Sequence, residues 1–355
     1  MRFKNHKTLL FKPYASVLAV VVGAVIGIGA TQALHKPVRA AAAPAQPAGA
    51  VVGARPLVSD ALAKAIEPAV KQAAVAPKGI GAARATISLY ERTADRSVLG
   101  RQGCSAAQRG VGGIVILDFG QPSYNGHTYG TNLFSGRFAG NAEITRGLLS
   151  YAHGYTHCLR RGSDLSITLA RGTSNYRPQV PNAYAAGHRW ARETRHLATL
   201  LRRGGLDSHV SSAAADDVEP AWDRTFHRTR DFFRGYRAAS TGHLLYNFGS
   251  LDGGVGSIWN ARQAFFVASG MKYARVIPEI YNPAMARQWA ELAHIARHVY
   301  HRPVQFAGVM TTHTSANHGM KPRDAHTSLV RALADSVGSG APDVPATLTN
   351  IRAAE

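Results

Sequence analysis

Asp217 and Glu219 are the residues best placed to do chemistry, in the stretch Ala215-Asp216-Asp217-Val218-Glu219-Pro220-Ala221-Trp222-Asp223. The stretch follows a run of small residues, Ser211 to Ala215. In an extended chain Asp217 and Glu219 point one way and Asp216 the other. Two carboxylates close together on one face do not both ionise easily. One of them holds its proton and can serve as a general acid. Cleavage of a glycosidic bond needs such an acid at the leaving oxygen, plus a second carboxylate as base or nucleophile. The bland alternative is that these acids pair with arginines or cap a helix starting near Trp222.

The elements that must position them read as alternating strands and helices. Short apolar, β-branched runs occur at Thr86–Tyr90, Gly113–Leu117, Leu165–Ala170, His209–Ala215, His243–Phe248, Ala274–Ile280 and Val304–Met310. Helical periods fill 97–109, 141–159, 182–203, 222–238, 257–269, 283–300 and 324–337. Asn182, Ser257 and Asn282 are expected caps, with Pro283 at a first helical position. A weak eighth strand is expected at Ala346–Asn350. Strands separated by single helices mean a parallel sheet. This many βα units in a chain of 355 residues predict an α/β fold of the (β/α)8 TIM-barrel type, whose typical size is ~250 residues. An open doubly wound sheet is the competitor. It usually carries a glycine-rich turn after its first strand, and Tyr90-Glu91-Arg92-Thr93 has no glycine.

A barrel of this kind works at the C-terminal ends of its strands. The chain has 21 acids against 41 Lys and Arg. Glu91, Asp118, Asp216, Asp217, Glu219, Asp252 and Glu279 all fall at or just after expected strand ends. Gln121, Arg171, Asn175, Tyr176, Tyr246, Asn247, Tyr281 and His313 fall there too. Carboxylates, amides and aromatic rings around one mouth suit a polyhydroxylated ligand.

The Asp217-x-Glu219 pair at a mid-barrel strand end resembles secreted βα-barrel glycoside hydrolases, especially the family-25 lysozymes and their glycoside-hydrolase-like relatives. Ile116-Leu117-Asp118-Phe119-Gly120-Gln121 resembles their early-strand Asp with a following Gln. The resemblance implies Glu219 as acid, Asp217 as its partner and Asp118 as the early-strand acid. The chain departs from the pattern in the extra acid Asp216 and in a long insertion, 120–140.

On this reading the catalytic candidates are Glu219, Asp217, Asp118 and Glu279. Glu279 could be the second carboxylate, or could be held by Arg275 or Arg287. Substrate-binding candidates are Asp216, Gln121, Asn175, Tyr176, Tyr246, Asn247, Asp252, Tyr281 and Trp222. Asp252 lies in a glycine-rich loop, Gly249–Gly256, that lacks the order of a phosphate-cradling loop. The insertion Tyr124–Asn141, with Tyr129, Phe134 and Phe138, could line subsites or pack the barrel top. No cofactor and no metal are expected. The alternatives are a non-catalytic carbohydrate-binding barrel, and a metal-dependent polysaccharide deacetylase using Asp216, Asp217, His313 and His318. The His313-to-His318 spacing has one residue too many for the usual deacetylase motif.

The N-terminus bears on the compartment. Arg2, Lys4, Lys7 and Lys12 precede an uncharged apolar run from Tyr14 to Leu34. This is the pattern of an export signal, and the run is also long enough for a membrane anchor. Residues 1–40 are expected to be signal or anchor, 41–78 an Ala/Pro-rich linker, and 79–355 the barrel, secreted or membrane-anchored outside the cytoplasm. That compartment permits a Cys104–Cys158 disulfide, with two separate buried thiols as the alternative. The formal charge of +20 suits anionic wall polymers or lipid head groups. Nucleic acid is not expected, because the arginines spread over all helices without aromatic interleaving.

Overall fold

The structure is a computed structural model that describes residues 86–312 and 320–354. The leader and linker, 1–85, lie outside the described residues, as do His313 and His318. Eight parallel strands form one curled sheet: β1 (Ser88–Tyr90), β2 (Gly113–Asp118), β6 (Ile167–Ser174), β7 (Val210–Asp217), β8 (Leu245–Asn247), β9 (Ala274–Val276), β10 (Val309–Thr312) and β11 (Leu348–Ala353). Their order is β10-β11-β1-β2-β6-β7-β8-β9. Isolated bridges, Val276 to Phe306 and Glu279 to Met310, run between the two end strands or their extensions. Backbone bonds support them: Ala307 N to Val276 O at 2.7 Å and Ile280 N to Met310 O at 2.9 Å. The sheet is therefore barrel-like, with helices outside it.

The helices are α1 (Arg96–Gln108), α2 (Asn141–Cys158), α3 (Ala183–Arg203), α4 (His227–Ala239), α5 (Ala261–Phe265), α6 (Pro283–His298) and α7 (Pro322–Val337). Asn182 and Asn282 cap α3 and α6 as expected, accepting from Ala185 N and Met285 N. None of the described helices is long and apolar enough to cross a membrane.

The sheet interior holds Ile116, Ala170, Ala213, Ala215, Tyr246, Phe248, Ile277, Met310 and Ile351. Strands covered on both faces have little polar alternation, which is why Gly113–Asp118 is nearly all apolar.

Several boundaries differ from expectation. Helix 257–269 shortens to α5, capped by Asn260 and Gln263 in a reciprocal pair rather than by Ser257, and runs on into a π-turn at Phe266–Gly270. The Val304–Met310 strand begins only at Val309, because Gly308 interrupts the extended run at φ +153°. There a Cβ would overlap the Thr347 backbone. The eighth strand reaches Ala353 and pairs with both β10 and β1. Helix 222–238 splits into a 3-10 turn at Pro220–Asp223 and α4. The insertion folds as a small antiparallel sheet of β3 (Gln121–Tyr124), β4 (Tyr129–Asn132) and β5 (Phe138–Gly140).

Cys104 and Cys158 are disulfide-bonded, joining α1 to the end of α2. The two helices touch backbone to backbone at Gly154, where a Cβ would overlap the Gly100 carbonyl. The bond closes a loop across 54 residues, for which chain entropy gives up to about 4 kcal/mol. Cys104→Ala/Cys158→Ala should lose up to that amount in denaturant unfolding. Gly154→Ala should lose about 1–3 kcal/mol by overpacking. Unchanged midpoints in both would contradict this packing.

Candidate active site

Strand register assembles the site. Asp118 ends β2 beside Tyr90 of β1 and Gly172 of β6. Asp217 ends β7 beside Ser174. Asp118 and Asp217 lie on the interior face, in alternation with Ile116 and Ala215. A side chain at 172 would strike the Asp118 backbone, so glycine is needed there.

Glu219 lies two residues beyond β7, and Asn175 fixes it. The Asn175 side chain accepts from Glu219 N at 2.9 Å and donates to Glu219 O at 3.1 Å. Its backbone N–H donates to Asp217 O at 3.0 Å. Thr229 Oγ1 receives another bond from the same amide. Asn175 thus sets the Asp217–Glu219 turn.

Glu279 comes from the extension of β9, its N–H bonded to Gly249 O at 3.2 Å. One carboxylate oxygen each of Asp217, Glu219 and Glu279 lies within 4.8 Å of the other two. Asp217 and Glu279 are buried and Glu219 is half-buried. Asp252, at φ +44°, faces Glu219 while accepting from Ala221 N at 2.6 Å and Ser250 Oγ at 3.0 Å. Tyr281 hydrogen-bonds the Glu279 carboxyl.

These groups share one electrostatic problem: burial without a cation. Among the described residues the ion pairs are Arg137–Glu143 and Arg230–Asp231, both elsewhere. Arg275 donates to Ala274 O instead of pairing with Glu279. Burial pushes the Asp118 carboxyl up to about 8, against the pull of the Gly120 N–H. Burial pushes Glu279 up to about 7, with the Tyr281 hydrogen bond pulling it down. Glu219 is raised well above the carboxylate range, first by burial and then by Asp252 and Glu279. Asp217 is raised likewise, by burial and then by Glu279, Glu219 and Asp118. The Tyr90 hydroxyl is also raised by burial and by the same four acids.

The other candidates divide by strand face and by loop. Tyr246 is buried in the sheet interior. Asp216 and Asn247 occupy the opposite face to Asp217 and Tyr246. Asp216 lines a small cavity with Asn175, Arg228, Thr229 and Phe232. Asn247 accepts from Gly249 N at 3.1 Å, shaping its own loop. Tyr176 and Trp222 stack edge to face at 5.2 Å, both half-buried. Gln121 opens β3 and is half-buried. Asp223, not Asp217 or Glu219, takes the capping role near Trp222, accepting from Thr229 N at 2.8 Å. Arg171 and Glu91 are not in the Asp217–Glu219–Glu279 cluster, although Glu91 N donates to Asp118 O at 2.7 Å and its carboxyl adds to the raising of Asp118. Arg171 is buried against Asn141, Thr145 and the Trp190 ring. Glu91 bonds Gln102 at 3.4 Å. Tyr90 escaped the sequence reading because it belongs to the strand rather than the loop. Its partner at the rim is Phe134 from the insertion, at 4.8 Å.

No protein-family model matches this chain, and no curated protein does. Among solved structures it is similar to a protein from Bacteroides thetaiotaomicron VPI-5482 provisionally designated an alpha-L-fucosidase. The match has 10% identity over 79% of this chain and 88% of that one, with a TM-score of 0.37. The oxygen donors of the acid well suit two uses: sharing protons, or holding a hard divalent cation between Asp217, Glu219 and Glu279.

The buried acids couple stability to pH. Asp118 is raised, so between about pH 4 and 8 the folded chain binds more protons than the unfolded one, and stability falls as pH rises. Asp118→Asn keeps the acceptor for Gly120 N and removes this loss. Its Tm should match wild type near pH 4 and exceed it by several degrees at pH 8–9, at about 2–4 °C per kcal/mol. Parallel Tm–pH curves would show that Asp118 ionises freely.

Proposed function

We propose that this chain is an exported (β/α)8-barrel hydrolase that cleaves glycosidic bonds of a polysaccharide, such as a cell-wall glycan. The observation that carries this is the approach of Glu219 and Glu279, with oxygens within 4.8 Å. That approach is nearer the carboxyl separation of ~5–5.5 Å used by retaining glycosidases than the ~6.5–9.5 Å of inverting ones. The basic leader and the resemblance of Asp217-x-Glu219 to family-25 lysozymes support the same reading.

Glu219 is the general acid. Asp252 and Glu279 beside it favour its protonated form. Glu279 is the nucleophile, its anion stabilised by Tyr281. In the first step the Glu279 carboxylate bonds to the anomeric carbon, the glycosidic C–O bond breaks, and the Glu219 proton passes to the leaving oxygen. In the second, water attacks that carbon, Glu219 takes the water's proton, and Glu279 leaves as carboxylate. Asp217 orients the sugar, its own carboxyl raised by burial and by Glu279 and Glu219 beside it. Asn175 is a positioning residue.

Reducing-end release from a glycan panel including peptidoglycan tests this. Glu219→Gln should lose about 10²–10⁴-fold in kcat. Product NMR should show the anomeric configuration retained. Rate should rise through about pH 7 as Glu279 ionises and fall at higher pH as Glu219 loses its proton. Chelator should have no effect. Inversion would remove Glu279 as nucleophile, and loss of activity on chelation would replace the carboxylate mechanism with a metal-assisted one.

A further inference from the structure

We infer that the sugar cleaved in this well carries a free, protonated 2-amino group, so that the substrate is a cationic amino-sugar polymer. The inference rests on the hydrolase reading and names the substrate of the same site. Cleavage by that route employs two carboxylates, Glu219 and Glu279. Asp118 and Asp217 remain, 0% and 5% exposed. Asp118 Oδ2 and Asp217 Oδ1 have no hydrogen-bond partner. Buried acceptors are ordinarily satisfied, and buried carboxylates are ordinarily paired with a cation. This chain has 41 Lys and Arg, yet no ion pair among the described residues reaches the well. Without a partner these carboxyls hold their protons, and a ligand that brings its own cation lets them ionise against it.

On this reading the cation belongs at carbon 2 of the sugar. Asp217 offers an oxygen within 4.8 Å of both catalytic carboxylates. The 2-substituent sits on the carbon next to the anomeric one, so it must lie beside the catalytic pair. A primary ammonium has three N–H donors and no acceptor, which complements carboxylate oxygens that only accept. A 2-acetamido group has one N–H and a carbonyl that the surrounding oxygens repel. A 2-hydroxyl brings one donor and no charge. The chain's overall charge of +20 opposes a cationic polymer at long range, but that repulsion is screened beyond ~8 Å at physiological salt. The attraction is local to the well.

The experiment compares wild type on glucosamine and galactosamine oligomers with their fully N-acetylated counterparts of equal length. Expected is a kcat/KM at least ten-fold higher on the free amines. Asp217→Asn and Asp118→Asn should each narrow that preference, chiefly through KM, with thermal unfolding confirming that they fold. Equal or faster cleavage of the acetylated oligomers overturns the inference and leaves the hydrolase reading standing. Should neither class be cleaved, the hydrolase reading falls, and calorimetric binding of the same oligomers to Glu219→Gln decides the inference. Amine-selective binding that Asp217→Asn weakens supports it. Absent binding, or tighter binding of the acetylated form, overturns it. So does a well that retains Ca2+, Mg2+ or Mn2+ through dialysis and shows no amine preference.

Discussion

The constraint on which this molecule turns is the crowding of carboxyl groups at one end of a parallel sheet, with no cation among the described residues to balance them. Asp118, Asp217 and Glu279 are all but inaccessible to water, with Glu219 and Asp252 beside them. Charged together in that setting they would repel one another strongly. Proton retention relieves the repulsion, and it makes one acid a proton donor while its neighbour is free to act as an anion. The same repulsion is a standing cost to stability at high pH, so the chemistry and the fold pull in opposite directions.

The rest of the structure can be understood as what keeps that arrangement in place. Small buried residues, Ala170 of β6 and Ala213 and Ala215 of β7, pack the sheet interior next to the acids. Asn175 holds the backbone of Glu219 on both its N–H and its C=O, which a flexible loop end could not do alone. Bridges from Val276 to Phe306 and from Glu279 to Met310 bring the two edge strands, β9 and β10, together at the end of the sheet that carries Glu279. On the outside, the Cys104–Cys158 bond and the close crossing at Gly154 pin α1 to α2. Those two helices flank β2, the strand that delivers Asp118.

Much of this was legible in the residues. The alternation of β-branched runs and helical periods, together with asparagine caps at 182 and 282, defines the parallel sheet. Period-two alternation was enough to separate Asp217 from Asp216, and it also puts Arg171 on the outer face. Other features depend on long-range geometry that no local pattern carries. Tyr90 meets four acids only because β1 lies next to β2 in the curled sheet. Phe134 reaches the rim because the insertion folds back as a three-stranded antiparallel sheet, for which Asn125-Gly126 between β3 and β4 is the one local signal. Asn175 reads as a ligand-binding amide in sequence, and its bonds to Glu219 and Thr229 give it a scaffolding role. Gly308 and the π-turn after α5 moved element boundaries because backbone conformation overrode side-chain pattern.

The most direct measurement is a carboxyl 13C NMR titration of the uniformly labelled protein from pH 3 to 10, run beside Glu219→Gln. The account predicts several carboxyl resonances with midpoints above pH 6. One of them should disappear in Glu219→Gln, and another, that of Asp217, should move to lower pH once this acidic neighbour is neutral. If every carboxyl titrates near its ordinary value of about 4, the acids are solvated or paired with cations, and the proton-sharing well at the centre of this account does not exist.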